Sequence, residues 1–169
     1  LLSRIAYPLL YVPVARLPLS HILLTMGGLG YSFSVEQLAL YLARAVGASL
    51  TLLHVVERVS LAYPVAEEIQ SHWERILETD TPQAHNLNQA ITDLRRAGLE
   101  VHFKVRHGDP VGEIQNEVRG SDYDLVAMGS SYSGQSLRRL YMPNVTAEVA
   151  ESMLRPVLTV RQGFFQLDE

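Results

Sequence analysis

Four short apolar runs, residues 22–26, 49–56, 124–128 and 157–160, constrain most of what this chain can fold into. A run of four to eight residues that is apolar on both alternate sets of positions suits a strand buried on both faces, as in a parallel sheet. Stretches of helical periodicity separate the runs. Ser34 with Gln37 three residues later makes a capping box. Val35, Leu38, Ala39, Leu42 and Val46 then share one helical face, and Gly47 supplies a stop. A longer helical region extends from about Val65 to Arg96, with a break near Thr81-Pro82, and Gly98 ends it. Asp109-Pro110 is a cap with proline at the first helical position, and Val111, Ile114 and Val118 turn that helix inward. The last helix is expected over Asn144 to Leu154. A fifth run, Val101-His102-Phe103-Lys104-Val105-Arg106, alternates strictly, so one of its faces is wet and it belongs at a sheet edge. Alternating strands and helices give an α/β fold: a doubly wound, five-stranded parallel sheet with helices on both faces.

The opening residues repeat a pattern found at the far end. Tyr7-Pro8-Leu9-Leu10-Tyr11-Val12 and Arg155-Pro156-Val157-Leu158-Thr159-Val160 both read as proline followed by a short apolar strand. Residues 1–20 are therefore expected to be an arm, the last strand of a preceding similar module, with Ala15 to Leu19 as linker; an incidental arm is the alternative. The chain begins at Leu1 rather than Met, as a fragment or a processed product would. The domain proper is expected over residues 21–162, with 163–169 as a tail. The opening is too short and too punctuated by proline for a signal peptide.

Composition excludes several function classes. A net charge of −4 gives no general reason to bind nucleic acid or an anionic membrane. With no cysteine there are no disulfides, thiolate nucleophiles or zinc-thiolate sites, which suits a reducing cytoplasm. No stretch has the roughly 18 uninterrupted apolar residues of a membrane span. Lys104 is the only lysine. No histidine pair has the i, i+4 helical spacing of a metal site, so no metal is expected. His54 reads as a hydrogen-bonded core residue, and His102 and His107 as solvated. Trp73, near Ile69 and Ile76, reads as a core contact, and Glu67, Glu68, Glu74 and Glu78 as an acidic helix surface without a general acid–base pair. No catalytic residue is expected.

The candidate site lies where Asp124-Leu125-Val126-Ala127-Met128 runs into Gly129-Ser130-Ser131-Tyr132-Ser133-Gly134. Ligands of open α/β sheets sit at the carboxyl ends of strands, and backbone N–H groups freed by a small-residue turn before a helix suit an anion. Arg138 and Arg139 beyond it either reach phosphates or form a wet helix face. Gly28-Leu29-Gly30-Tyr31-Ser32-Phe33 has two glycines of a dinucleotide fingerprint, but Phe33 stands in the place of the third. It reads as the tight turn into the first helix.

Five segments together resemble the universal stress protein family over about residues 21–161. They are Ile22-Leu23-Leu24-Thr25-Met26-Gly27-Gly28, Leu53-His54-Val55-Val56, Gly108-Asp109-Pro110 with Ile114, Asp124 through Ser130, and Pro156-Val157-Leu158-Thr159-Val160. The resemblance implies strand order 3-2-1-4-5 and pairing through the last strand, Val157 to Val160, in a homodimer or, for tandem members, an intramolecular pseudo-dimer. Leu9 to Val12 would then add an antiparallel edge strand beside Val157 to Val160. Nucleotide-binding members resemble one another in Gly-x2-Gly-x9-Gly-[Ser/Thr] after the fourth strand. Carried onto this chain, the cofactor-binding positions are Gly27, Val55, Met128, Gly129, Ser131, Tyr132, Gly134, Asn144 and Val145, for ATP or another adenine nucleotide with Mg²⁺. Gly129 fits the first glycine. Tyr132 falls on the second, and Pro143-Asn144 lies near the third, with Pro143 lacking an N–H. Gly27 stands where an acidic residue usually contacts the nucleoside. The resemblance thus implies a non-catalytic stress-response or signalling module with a degenerate nucleotide loop and an unknown protein partner. The alternative is an ATP-binding switch with at most slow hydrolysis.

Overall fold

A computed structural model describes residues 7–27, 33–57, 72–130 and 145–161. Its strands are β1 (Leu9–Tyr11), β2 (His21–Thr25), β3 (Ser49–Glu57), β4 (Val101–Gly108), β5 (Leu125–Ser130) and β6 (Val157–Arg161). The helices are α1 (Phe33–Val46), α2 (Pro82–Arg96), α3 (Pro110–Gly120) and α4 (Val145–Ser152), with a 3₁₀ helix at Trp73–Glu78. One sheet runs β1-β6-β5-β2-β3-β4, parallel except for the antiparallel pair of β1 with β6. Without β1 this is the 3-2-1-4-5 order, and the alternating strand β4 is at the edge. Leu9 opposes Thr159 and Tyr11 opposes Val157, so the proline-then-apolar segments do meet.

Burial on both faces decides the centre. In β2, Ile22, Leu23 and Leu24 have no exposed surface. Ile22 and Leu24 face one core with Val35, Ala39 and Ala43 of α1 and Leu87, Ile91 and Leu94 of α2. Leu23 faces the other, with Ile114 and Val118 of α3 and Val149 of α4. A period of two along the strand thus feeds two helical layers.

The helix boundaries follow local chemistry with some corrections. Thr81 caps α2, its hydroxyl accepting from the Ala84 N–H at 3.2 Å, and Asp109 caps α3, accepting from the Gly112 N–H at 2.8 Å, each before a first-turn proline. Gly47 and Gly98 end their helices at φ of 70° and 85°, where a Cβ would be strained. The long helical region is divided: a 3₁₀ turn closes at Glu78, and Thr79 to Thr81 are extended or capping before α2 starts. Ser34 does not cap α1, because the helix already includes Phe33, and Ser34 is buried within it. Ala43 fills the inward position expected of Val46, which is half-exposed because it follows the last inward turn. The last helix starts at Val145 and stops at Ser152. The expected beginning at Val65, and Glu67, Glu68 and Ile69, lie outside the described residues, as do Asn144 and the tail.

Glu117 on α3 is a buried carboxylate, 2% exposed, and four side chains converge on it. Lys104 donates to Oε1 at 2.7 Å, Arg106 to Oε2 at 2.8 Å, the Tyr123 hydroxyl to Oε1 at 2.7 Å, and Ser121 to Oε1 at 3.3 Å. Burial alone would raise its pKa, but hydrogen bonds from Lys104, Tyr123 and Arg106 outweigh that and hold it at about 2. The group clamps the polar face of β4 to α3 by charge-assisted bonds. Its stabilisation is fully present above about pH 4.5 and is lost as pH falls toward 2. Glu117→Gln is expected to cost about 2–3 kcal/mol at neutral pH in urea unfolding, because it leaves the cations and the phenol poorly matched. The variant's deficit should shrink steadily below pH 4.

Candidate functional site

β2 pairs with β5 on one side and β3 on the other, and the chain leaves β2 toward α1 on one face of the sheet but leaves β5 toward α4 on the other. Such a reversal opens a crevice at the carboxyl ends of the two strands. The registers place Thr25 beside both Leu53 and Met128. Continued two residues, they bring Gly27, Val55 and the Gly129-Ser130 step into one row across the mouth of that crevice.

The row is defined largely by backbone. Among the described residues nothing lies within 4 Å of where a Cβ on Gly27 would be, so the end of β2 is open on that side. Met26 holds the turn: its N–H donates to the Leu53 carbonyl at 3.0 Å, and its own carbonyl accepts from His54 Nδ1 at 2.8 Å. A carbonyl can only accept, so Nδ1 carries the proton. Burial lowers the His54 pKa and the bond to Met26 opposes that, leaving a neutral imidazole as a structural strut. His54 is thus the hydrogen-bonded core residue its strand position implied.

Among the expected binding positions, Gly27, Val55, Gly129 and Val145 are brought to the carboxyl end of the sheet. Val55 and Val145 are half-buried and pack against the core shared by α3 and α4. Met128 is 3% exposed with its side chain in that same core, so it contributes main chain only. Ser131, Tyr132, Gly134 and Asn144, with Ser133, Arg138, Arg139 and Pro143, lie outside the described residues, as does the segment from Gly28 to Ser32. Among the described residues no three His, Asp or Glu side chains are grouped as a metal site requires, and no helix is long and apolar enough to cross a membrane.

Two features near the sheet's carboxyl edge were not legible in the sequence. Glu36, in the first turn of α1, is 7% exposed. Burial first, then the like charge of Asp93 on α2, push its carboxyl up to about 7. At β4, His107 is not solvated: it stacks on Trp73 with ring centroids 5.6 Å apart and planes 18° apart. Trp73 also packs against the core, as expected, so it serves both roles. The approach of the 3₁₀ turn to β4 is a long-range contact, which periodicity along one segment does not encode.

The model of the universal stress protein family matches residues 18–161. The chain belongs to the universal stress protein family. Solved structures agree on the fold. A universal stress protein in complex with cAMP is 20% identical with a TM-score of 0.60, the match covering 85% of this chain and 98% of that one. Hypothetical protein MJ0577 is 22% identical at a TM-score of 0.63, covering 85% of this chain and 96% of that one. A universal stress protein from Pseudomonas aeruginosa UCBPP-PA14 is 17% identical at 0.59; there the match takes in 92% of this chain but 52% of the other. No curated protein matches the sequence. The antiparallel β1 is thus an addition at the edge of a universal stress protein sheet.

Because the Glu36 carboxyl titrates higher folded than unfolded, its ionisation opposes folding. Stability should fall between about pH 4.5 and 7 and stay low above. Glu36→Gln is expected to raise stability at pH 8 by on the order of 1–3 kcal/mol in urea unfolding, and to change nothing below pH 4.5.

Proposed function

We propose that this chain is a non-catalytic stress-response or signalling module whose adenine-nucleotide site is degenerate. The observation that carries the reading is the row at the switch point. Among the described residues nothing crowds Gly27, but Met26, Gly27, Met128 and Gly129 bring no charged side chain to the ends of β2 and β5. The acidic group that contacts the nucleoside in binding members is therefore missing from its usual place. Tyr132 and Pro143, where the loop pattern calls for glycines, point the same way.

A second reading keeps the site active as a nucleotide-dependent switch with at most slow hydrolysis. The open end of β2 favours it, as does a family neighbour solved with cAMP. In that case Gly129 and the N-terminal turn of α4 at Val145 would hold the nucleotide by main-chain contacts, and the phosphates with Mg²⁺ would supply the charge the row lacks. Thermal unfolding with ATP and Mg²⁺, compared with ADP, AMP and cAMP, separates the two. The degenerate reading expects no shift at millimolar nucleotide. Ligand at 100 times its Kd would stabilise the fold by about 2.7 kcal/mol, a shift of several degrees, and would install the switch instead. Tyr132→Gly with Pro143→Gly should raise ATP affinity in calorimetry; no gain would place the defect at Gly27.

The partner proposed for the last strand is the arm itself. Residues 9–11 occupy the outer edge of β6, antiparallel, as the last strand of a preceding module would in a pseudo-dimer. A related chain nearly twice as long, matched over 52% of its length, supports a tandem arrangement. Leu10, Tyr11, Val12, Val14 and Leu17 remain 46–88% exposed, an apolar strip suited to such a neighbour. Deleting residues 1–13 should uncover the β6 edge and shift the protein to a dimer or larger assembly in light scattering. An unchanged mass would reject the arm as the edge's cover.

A further inference from the structure

The sheet has a second edge, at β4. The Leu50 N–H donates to the carbonyl of Glu100 at 3.0 Å, and backbone groups along a strand alternate sides. Glu100, His102, Lys104 and Arg106 therefore turn their main chain toward β3, while Phe103, Val105 and His107 turn theirs outward. No strand among the described residues pairs with that outer side. A groove of about 570 Å³ follows it, lined by Trp73, Val105 and His107 together with Lys104, Arg106, Glu113 and Glu117.

The two walls of the groove differ. On one side the Trp73–His107 stack forms a flat flank, and the His107 Nε2, itself buried, has no hydrogen-bond partner among the described residues. On the other the charges are layered. Glu117 is only 3% exposed at its side chain and Glu113 24%, whereas Lys104 is 44% and Arg106 34% exposed. The carboxylates form the floor and the cations face outward. Two of the three Lys104 ammonium protons are not needed by its bond to Glu117.

We propose that this edge accepts an extended acidic peptide segment of another protein, which adds as a strand beside β4. Main-chain bonds to Phe103, Val105 and His107 would supply affinity. Carboxylates at alternate positions would meet Lys104 and Arg106, and the other flank would rest on the Trp73–His107 rings, where a polar group can satisfy Nε2. A second copy of this chain is a poor occupant. Pairing through the same edge would set Lys104 and Arg106 against their own counterparts, the arrangement by which edge strands discourage self-association.

Trp73 is the only tryptophan, so its emission reports on the groove alone. The probe is a capped hexapeptide of alternating threonine and glutamate, titrated into the full chain, with backbone amide shifts followed in parallel. A saturable change in Trp73 emission, with shifts at Phe103, Val105 and His107, is expected. Binding should weaken roughly tenfold between low and high salt, as exposed charges are screened. It should be lost when alternate peptide nitrogens are methylated, and absent for the threonine–lysine counterpart. Lys104→Gln, assayed well below an unfolding midpoint that falls because Glu117 loses a charged donor, should weaken binding severalfold while Trp73 emission of the free protein stays native. Silence of both emission and amide shifts at millimolar peptide would overturn the proposal. So would equal binding of the lysine peptide, or equal binding of the methylated one, which would mean simple anion capture without strand addition.

Discussion

Everything in this fold hangs on β2 being dry on both faces. A strand with Ile22, Leu23 and Leu24 wholly enclosed needs strands on each side for its hydrogen bonds and helices above and below for its side chains. β3 and β5 meet the first need, and the two core clusters meet the second. The same arrangement sends the connections from β2 and β5 to opposite faces of the sheet, and that divergence creates the crevice at Gly27 and Gly129. Core and candidate site are thus one consequence of one buried strand.

Polar groups are used to fix the periphery of this apolar centre. At the amino end of β2, the Asp124 carboxylate accepts from the Ser20 and His21 N–H groups at 2.8 and 3.0 Å, setting the register between β2 and β5. At the carboxyl end His54 ties the Met26 carbonyl across from β3. At the far edge Glu117 gathers Lys104, Arg106 and Tyr123. Each anchors a strand end or edge where ladder bonds run out, and the two that are buried, His54 and Glu117, are bonded rather than isolated, consistent with the cost of leaving such groups unpaired. Glu36 is the exception in energetic sign, since its ionisation near neutrality works against the fold.

The two sheet edges are managed differently. β6 is covered over Val157 to Thr159 by a three-residue strand from the arm, so that part of its edge is paired from within the chain. β4 carries the cations Lys104 and Arg106 over the buried Glu117 carboxylate, and no strand among the described residues pairs with its outer side. The crevice at the ends of β2 and β5, by comparison, has no charged side chain at Met26, Gly27, Met128 or Gly129.

Much of this was readable from residue order. Apolar runs versus strict alternation distinguish the buried strands from the edge strand, because burial on two faces and on one leave different periods. Caps at Thr81 and Asp109 and the stops at Gly47 and Gly98 are local chemistry, and local chemistry is what a linear sequence records. Ser34 and Val46 misled because their roles depend on where the helix meets its neighbours, not on its own periodicity. The Trp73–His107 stack, the four donors around Glu117 and the burial of Glu36 join residues far apart in the chain. By itself the sequence determined the α/β class, the edge position of β4 and the likeness of the arm to the last strand, while the strand order and the antiparallel pairing of the arm were implied by the family resemblance. Only the tertiary structure decided which polar side chains are buried and what they bind, since desolvation and pairing are set by packing between elements and not by spacing within one.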